Sequence, residues 1–348
     1  MRTGIVMTAR PGVEDLAARA EELGFASFWV YDTPMVNGDP FVSLALCAKA
    51  TSRIKLGIGV TSPALRSTPA AAAAVSSLNA IAPGRVICGI GTGNTARRTL
   101  GMRPTRMAEL EEFTAALQDL TSGRETGYRE GGRTSTIRFL HVGPYVNTTD
   151  PVEYVIAAFG LKAAEIAGRR GAGVISFGLI SSEAWKALEG ARREAAVAAG
   201  HPEHADSYVM TSLRVLDDGE DRYGDTVRDA MGHIAMSLLT FAADNPGFRA
   251  TLTPEESDTV ERLLTRRGTT ATSPDRHATL YRNYLGRIDP ADRDLVIGSF
   301  VDKLALVGTR DEVRERIAGL EAAGLTEIVI QPVVDPEAEM VALAELMR

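Results

Sequence analysis

The chain has 348 residues, of which 45% are hydrophobic and 24% charged, and its 38 Lys and Arg against 45 Asp and Glu give a formal charge of −7. This mix excludes a disordered or collagen-like chain, and the acidic balance argues against a nucleic-acid partner. At about 150 residues per domain the length fits two domains or one α/β barrel with insertions.

The first strand is read at Thr3–Thr8. Pro11 then opens a helix with Val13, Leu16, Ala17, Ala20 and Leu23 on one face, stopped by Gly24. Strands 26–31, 54–60 and 85–91 alternate with helices 41–50, 69–81 and 106–120. The connections are too short for anything but a parallel sheet. Residues 123–150, rich in Gly, Thr and Arg, read as a hairpin or loop outside the sheet. The alternation resumes with strands 152–157, 173–177 and 207–216 and helices 161–169 and 182–199. From 217 to 300 strands give way to helices at 223–243, 254–266 and 274–285, the second opened by Thr253 and Glu256 as a capping box. Thr309 and Glu312 cap another helix; strand 327–333 and a helix from Pro336 close the chain.

Eight strands with intervening helices predict a TIM (β/α)8 barrel over 1–348 as a single domain, with an open doubly wound sheet as the alternative. No stretch of about 18 uncharged apolar residues is present, and no charged-then-apolar leader opens the chain, so no membrane partner is expected. Cys47 and Cys88 lie in apolar runs and read as core residues, which fits a cytoplasmic setting. None of the five histidines stands at a strand end or has ligand spacing, so no metal site is expected. Neither a nucleophile elbow nor a P-loop is found.

In such a barrel the chemistry sits where strands end. After strand four comes Gly89-Ile90-Gly91-Thr92-Gly93-Asn94, which fits a loop lying along a flat cofactor; Asn94 replaces the third glycine of a dinucleotide fingerprint. After strand five, Ala158-Phe159-Gly160-Leu161-Lys162 passes from strand to helix, and free N–H groups at a helix start bind phosphate. In strand three, Gly57 and Gly59 precede Val60 and Thr61; paired glycines mark a bulge or a close approach by a bulky neighbour.

Together these segments resemble the bacterial luciferase-like family of flavin and deazaflavin enzymes. The resemblance is carried by Ala17–Thr33, Thr51–Val60, Pro63–Gly101, Ile156–Ile175 and Leu306–Pro332. Gly-Ile-Gly-Thr-Gly-Asn followed by Arg98-Thr99-Leu100-Gly101 is similar to the branch that contains the methylenetetrahydromethanopterin reductases, which use coenzyme F420. The resemblance implies a TIM barrel with a late insertion. It implies a cofactor ring in the barrel mouth against a strand-three bulge, with a non-prolyl cis peptide at Gly59–Val60, and a cofactor phosphate at Ala158–Lys162. Thr92, Gly93 and Asn94 would line cofactor and substrate, with Asn94 also a catalytic candidate. Many members carry a histidine after strand two, where this chain has Thr33, here taken as a substrate-side residue. The sugar-phosphate dehydrogenases carry an acid where Asn94 stands.

With those two groups missing, Asp32 becomes the candidate proton donor, directly or through water, against a role as acceptor for loop N–H groups. Arg97 and Arg98 either hold an anionic substrate or face solvent. The reading favours an F420-dependent oxidoreductase passing hydride to an unsaturated or imine-like small molecule. An FMN-dependent monooxygenase is the alternative, and a barrel that binds a flavin without catalysis is the third. A homodimer is expected from the resemblance.

Overall fold

A computed structural model describes residues 1–347 of the chain. Strand β1 (Arg2–Met7) leads through α1 (Val13–Leu23) to β2 (Ser27–Val30), then through α2 (Pro40–Ala50) to β3 (Lys55–Thr61). Helix α3 (Thr68–Ile81) leads to β4 (Val86–Ile90), followed by the one-turn α4 (Asn94–Arg98) and by α5 (Met107–Thr121). Strands β5 (Thr126–Glu130) and β6 (Arg133–Ile137) form an antiparallel hairpin apart from the main sheet. Next come β7 (Glu153–Ala157), α6 (Leu161–Arg169), β8 (Gly173–Phe177), α7 (Ser182–Ala198) and β9 (Ser207–Val215). The insertion holds α8 (Asp225–Asp244), α9 (Pro246–Arg249), α10 (Pro254–Arg267), α11 (Arg276–Leu280), a 3-10 turn (Pro290–Leu295) and α12 (Gly298–Leu304). Strand β10 (Ala305–Gly308), α13 (Arg310–Ala322), β11 (Glu327–Ile330) and α14 (Pro336–Met347) complete the order.

Eight parallel strands close the barrel in the order β1-β2-β3-β4-β7-β8-β9-β11, and β11 pairs back onto β1. All eight are the strands expected from the sequence, with ends shifted by at most a few residues. The outer faces of the strands, such as Ile5, Phe28, Leu56 and Ile58, pack on the helices. The inner faces, among them Val6, Trp29, Ile87, Val155, Tyr208 and Val329, fill the barrel. A separate apolar cluster is built by α8, α10, α12 and β10.

Three local expectations are corrected. The first helix begins at Val13 rather than Pro11, because Gly12 adopts a left-handed φ of 80° at its N-cap. The helix expected over 274–285 is helical only at Arg276–Leu280, and Asn283 and Leu285 then take left-handed backbone at φ 58° and 59°. Strand β10 was hidden from the sequence because it follows α12 with no turn residue between them. Both capping boxes form as read. Thr253 Oγ1 accepts from Glu256 N at 3.3 Å while Glu256 accepts from Thr253 N at 3.0 Å, and Thr309 and Glu312 do the same.

Candidate active site at the barrel mouth

The mouth is shaped first by β3. Its register with β4 runs from Ile58↔Cys88 to Thr61↔Ile90, so β3 carries one residue more than its neighbour, which makes a bulge at Gly59–Val60. The Gly59–Val60 peptide is cis, as the resemblance implied. The facing strand makes room by omission: a Cβ on Gly89 would fall 2.7 Å from Val60 Cγ1, and one on Gly91 2.8 Å from Val60 Cγ2. Gly57 serves the other purpose read for it, since a Cβ there would overlap the Trp29 ring.

Next come the polar strand-end residues, most of which have partners in the loops around them. Asp32 is 2% exposed and forms an ion pair with Arg66, which also reaches Asp39, the N-cap of α2. Burial pushes the Asp32 pKa up while the Arg66 guanidinium pulls it back. Asp32 thus also braces the loops after β2 and β3: Arg66 lies far along the chain, so the pairing forms only when the barrel does. Thr33 is buried as well; its Oγ1 accepts from Asn37 Nδ2 at 2.6 Å, which fastens the turn after β2. Thr92 accepts from Thr105 N at 2.9 Å through its carbonyl. Gly93 stands at φ 72° as the N-cap of α4, a left-handed position that suits glycine.

The two arginines differ: Arg98 is paired with an acid, whereas Arg97 has a main-chain partner for its Nε alone. Arg98 Nε donates to Asn94 Oδ1 at 2.8 Å, and its Nη1 pairs with Asp244 at 3.0 Å, which ties α4 to the end of α8. Arg97 Nε donates to the Arg103 carbonyl at 3.0 Å. Asn94 is therefore engaged through its oxygen, and its amide nitrogen is the half left for a ligand.

At the end of β7 the pattern is different. Ala158 is buried, but Phe159, Gly160, Leu161 and Lys162 are exposed. Gly160 is the N-cap of α6 with no side chain capping the helix, and a Cβ added there would meet nothing within 4 Å. An uncapped, exposed helix start can take an anion, since its first N–H groups and the helix dipole face outward.

The centre of the mouth holds Leu285, which sequence reasoning missed, and Gln331, which stands at a strand end. Leu285, from the insertion, is 5% exposed and packs inside the barrel with Trp29, Tyr31 and Met210, and Tyr284 packs against them. Gln331, at the end of β11, donates from Nε2 to the Leu285 carbonyl at 2.8 Å and accepts from the Tyr31 hydroxyl at 2.9 Å. Burial raises the Tyr31 pKa, so the phenol stays protonated and donates. Ser212, in the β9 extension, meets His233 Nε2 of α8 at 2.8 Å, and burial holds His233 neutral with its pKa lowered to about 4. The sequence placed that histidine on a helix with no sign of what it faced. A cavity of about 610 Å³ opens elsewhere, inside the insertion, between Asp244, Arg249, Thr265 and Arg276.

A family model described as luciferase-like monooxygenase matches residues 7–327. The F420-dependent glucose-6-phosphate dehydrogenase of Kineococcus radiotolerans is 35% identical over 179 residues, covering 47% of this chain and 52% of that protein. The chain thus spans about half the length of such curated relatives. Among solved structures, the coenzyme F420 dependent tetrahydromethanopterin reductase of Methanopyrus kandleri superposes with a TM-score of 0.69 at 19% identity, covering 99% of this chain and 97% of that one. The oxygenating constituent of 3,6-diketocamphane monooxygenase of Pseudomonas putida, in complex with FMN, superposes with a TM-score of 0.64 at 19% identity, covering 100% and 96%. At these identities the structural likeness is one of fold.

Proposed function

The chain belongs to the luciferase-like monooxygenase family, and within that family of enzymes we propose that it is an F420-dependent oxidoreductase acting on an unsaturated or imine-like small molecule at the barrel mouth. The observation that carries this reading is the pairing of two features at one end of the barrel: the β3 bulge at Gly59–Val60 and the open, uncapped start of α6 at Gly160. One suits a flat ring edge and the other an anionic tail, as a phosphate-bearing ring cofactor requires.

Residues of this chain would act as follows. The N–H groups at Gly160, Leu161 and Lys162 would hold the phosphate, with Lys162 adding charge. The bulge at Gly59, Val60 and Thr61 would back the ring, and Thr92, Gly93 and Asn94 would line its edge and the substrate, beside Thr33 and Arg97. When bound, the deazaflavin supplies a ring carbon that gives or takes a hydride. The protein's share is position and exclusion of water around that carbon. Asp32, held by Arg66, would handle the proton directly or through water.

The share of the mouth taken by Leu285 fits this reading if the segment carrying it withdraws. Support for F420 over FMN comes from the curated relative with 35% identity, which is F420-dependent. An FMN-dependent monooxygenase is the second reading, favoured by the FMN complex of the structural neighbour. Titration of the purified protein with F420 and with FMN, followed by absorption and by quenching of protein fluorescence, decides between them. Binding of F420 is the expected result; tight FMN binding with no F420 binding would reject the proposal.

A further inference from the structure

We infer that residues 281–288 form an internal competitor for the barrel mouth, latched by the Gln331 amide, and that Gln331 passes to the bound ring when this strap leaves. The inference rests on the reading that a ring cofactor occupies the mouth.

Leu285 does not belong to any barrel strand, yet it sits among the inward-facing side chains and is almost fully buried. Its carbonyl takes the Gln331 Nε2 hydrogen bond at 2.8 Å. The orientation of that amide follows from its partners. A main-chain carbonyl can only accept, so the NH2 group must face Leu285, and the amide oxygen is left to accept the Tyr31 hydroxyl. Tyr31 and Gln331 thus present a fixed N–H donor to the centre of the mouth. A carbonyl on the edge of a planar heterocycle asks for the same donor, and the apolar wall that holds the Leu285 side chain is the wall such a ring would face.

The strap's own backbone does not favour this position. Asn283 and Leu285 both have left-handed φ, at 58° and 59°. Asparagine tolerates that region, but leucine rarely enters it, so the segment is held by its anchors and not by local preference. The anchors that reach the barrel are the Gln331 bond, a contact of 3.3 Å between Tyr284 Oη and Thr95 Oγ1, and the buried Leu285 side chain, while Tyr281, which donates to Asp244 at 3.3 Å, and Ile288 hold the two ends of the segment in the insertion's own apolar cluster. Between them Arg282 and Asn283 are exposed, as is Arg287 just beyond. A ligand that offers more apolar area and its own carbonyl can replace so small a plug. Association would then be limited by strap release and would level off at high ligand concentration.

Thiol chemistry tests this directly, because Cys47 and Cys88 are both 0% exposed and leave an introduced thiol as the reactive one. In Leu285→Cys, labelling by an aromatic disulfide is expected to be far slower than in Met35→Cys, whose position is 82% exposed. Adding Gln331→Ala should speed it by up to about tenfold, the effect of one hydrogen bond. Saturating F420 or FMN, whichever binds, should speed it further. Labelling as fast as in Met35→Cys, no response to Gln331→Ala, or no response to a bound cofactor would each overturn the inference. Should Leu285→Cys fail to fold, trypsin cleavage of the unmodified protein after Arg282 and Arg287 replaces it: bound cofactor should raise cleavage, and unchanged or reduced cleavage would overturn the inference. If neither cofactor binds, the proposed function falls, and the Gln331→Ala comparison alone decides whether the latch exists.

Discussion

The floor of the barrel and its mouth face the same requirement, a ring of strand ends whose polar atoms must be satisfied, and they meet it with different material. At the floor the partners come from the strands themselves. Glu327 of β11 accepts from Ser27 of β2 and from Arg2 Nε at 3.2 Å, Trp29 Nε1 donates to Ser27 Oγ at 2.6 Å, and Lys55 of β3 pairs with Glu153 of β7 at 2.5 Å. Tyr208 of β9 closes the ring onto Glu153 and stacks edge-on with Trp29 at 5.0 Å between centroids. At the mouth, β3 and β4 place glycines where the floor has side chains, and the central partner is a segment from outside the barrel. A network closed within the sheet serves stability; one completed by a removable strap leaves room for a ligand. Substitutions at the two ends should therefore separate stability from binding.

The largest effect is expected at the floor. Burial raises the Glu327 pKa from 4.5 to about 7, against the opposing pull of Ser27 and Arg2. Below pH 4.5 the group is protonated both folded and unfolded. Between 4.5 and 7 the unfolded chain loses the proton first, so stability falls as pH rises, by about 3 kcal/mol in all from this group. Glu327→Gln should remove that slope, which urea denaturation of both proteins at pH 5 and pH 8 would measure; parallel pH curves would contradict the assignment.

A somewhat smaller loss is expected beside the bulge. Gly89→Ala puts a Cβ against the Ile58 main-chain carbonyl and Val60 and should cost about 2–3 kcal/mol in the same assay. A cost near zero would mean that β4 does not brace the bulge. Gly160→Phe should do the reverse: the site is open, so the melting temperature should hold, while cofactor affinity drops about tenfold as the ring covers the α6 amides. Unchanged affinity would move the phosphate elsewhere. The smallest effect is expected from Arg98→Met, which cuts the tie between α4 and Asp244 and should cost about 1 kcal/mol, seen as faster amide exchange in α4 without change in the floor strands.

Much of the architecture was legible in the residues. Alternating apolar runs marked all eight barrel strands, glycine stops and capping boxes bounded helices such as α10 and α13, and the paired glycines of β3 flagged the bulge. The open helix start at Gly160 was also visible, because strand end, glycine and helix follow one another within a few residues. The fate of the polar candidates was not. Asp32 had the residue type of a proton donor, but its use is decided by Arg66, 34 residues away. Arg98 meets Asp244 across 146 positions, and Gln331 meets Leu285 across 46. The strap was hidden for a further reason: its apolar spacing suits a helix, and only the barrel interior favours the left-handed turn that it takes.

By itself, then, the sequence determined the order of strands and helices, the closure they imply and the two glycine-marked places where a backbone could approach a ligand. These depend on periodicity, caps and φ preference, which act over a few neighbouring residues. Closure of the barrel decided which acids and bases are already paired, and it brought a leucine from the insertion into the mouth. Those outcomes depend on distances between segments far apart in the chain, set by the whole ring of strands.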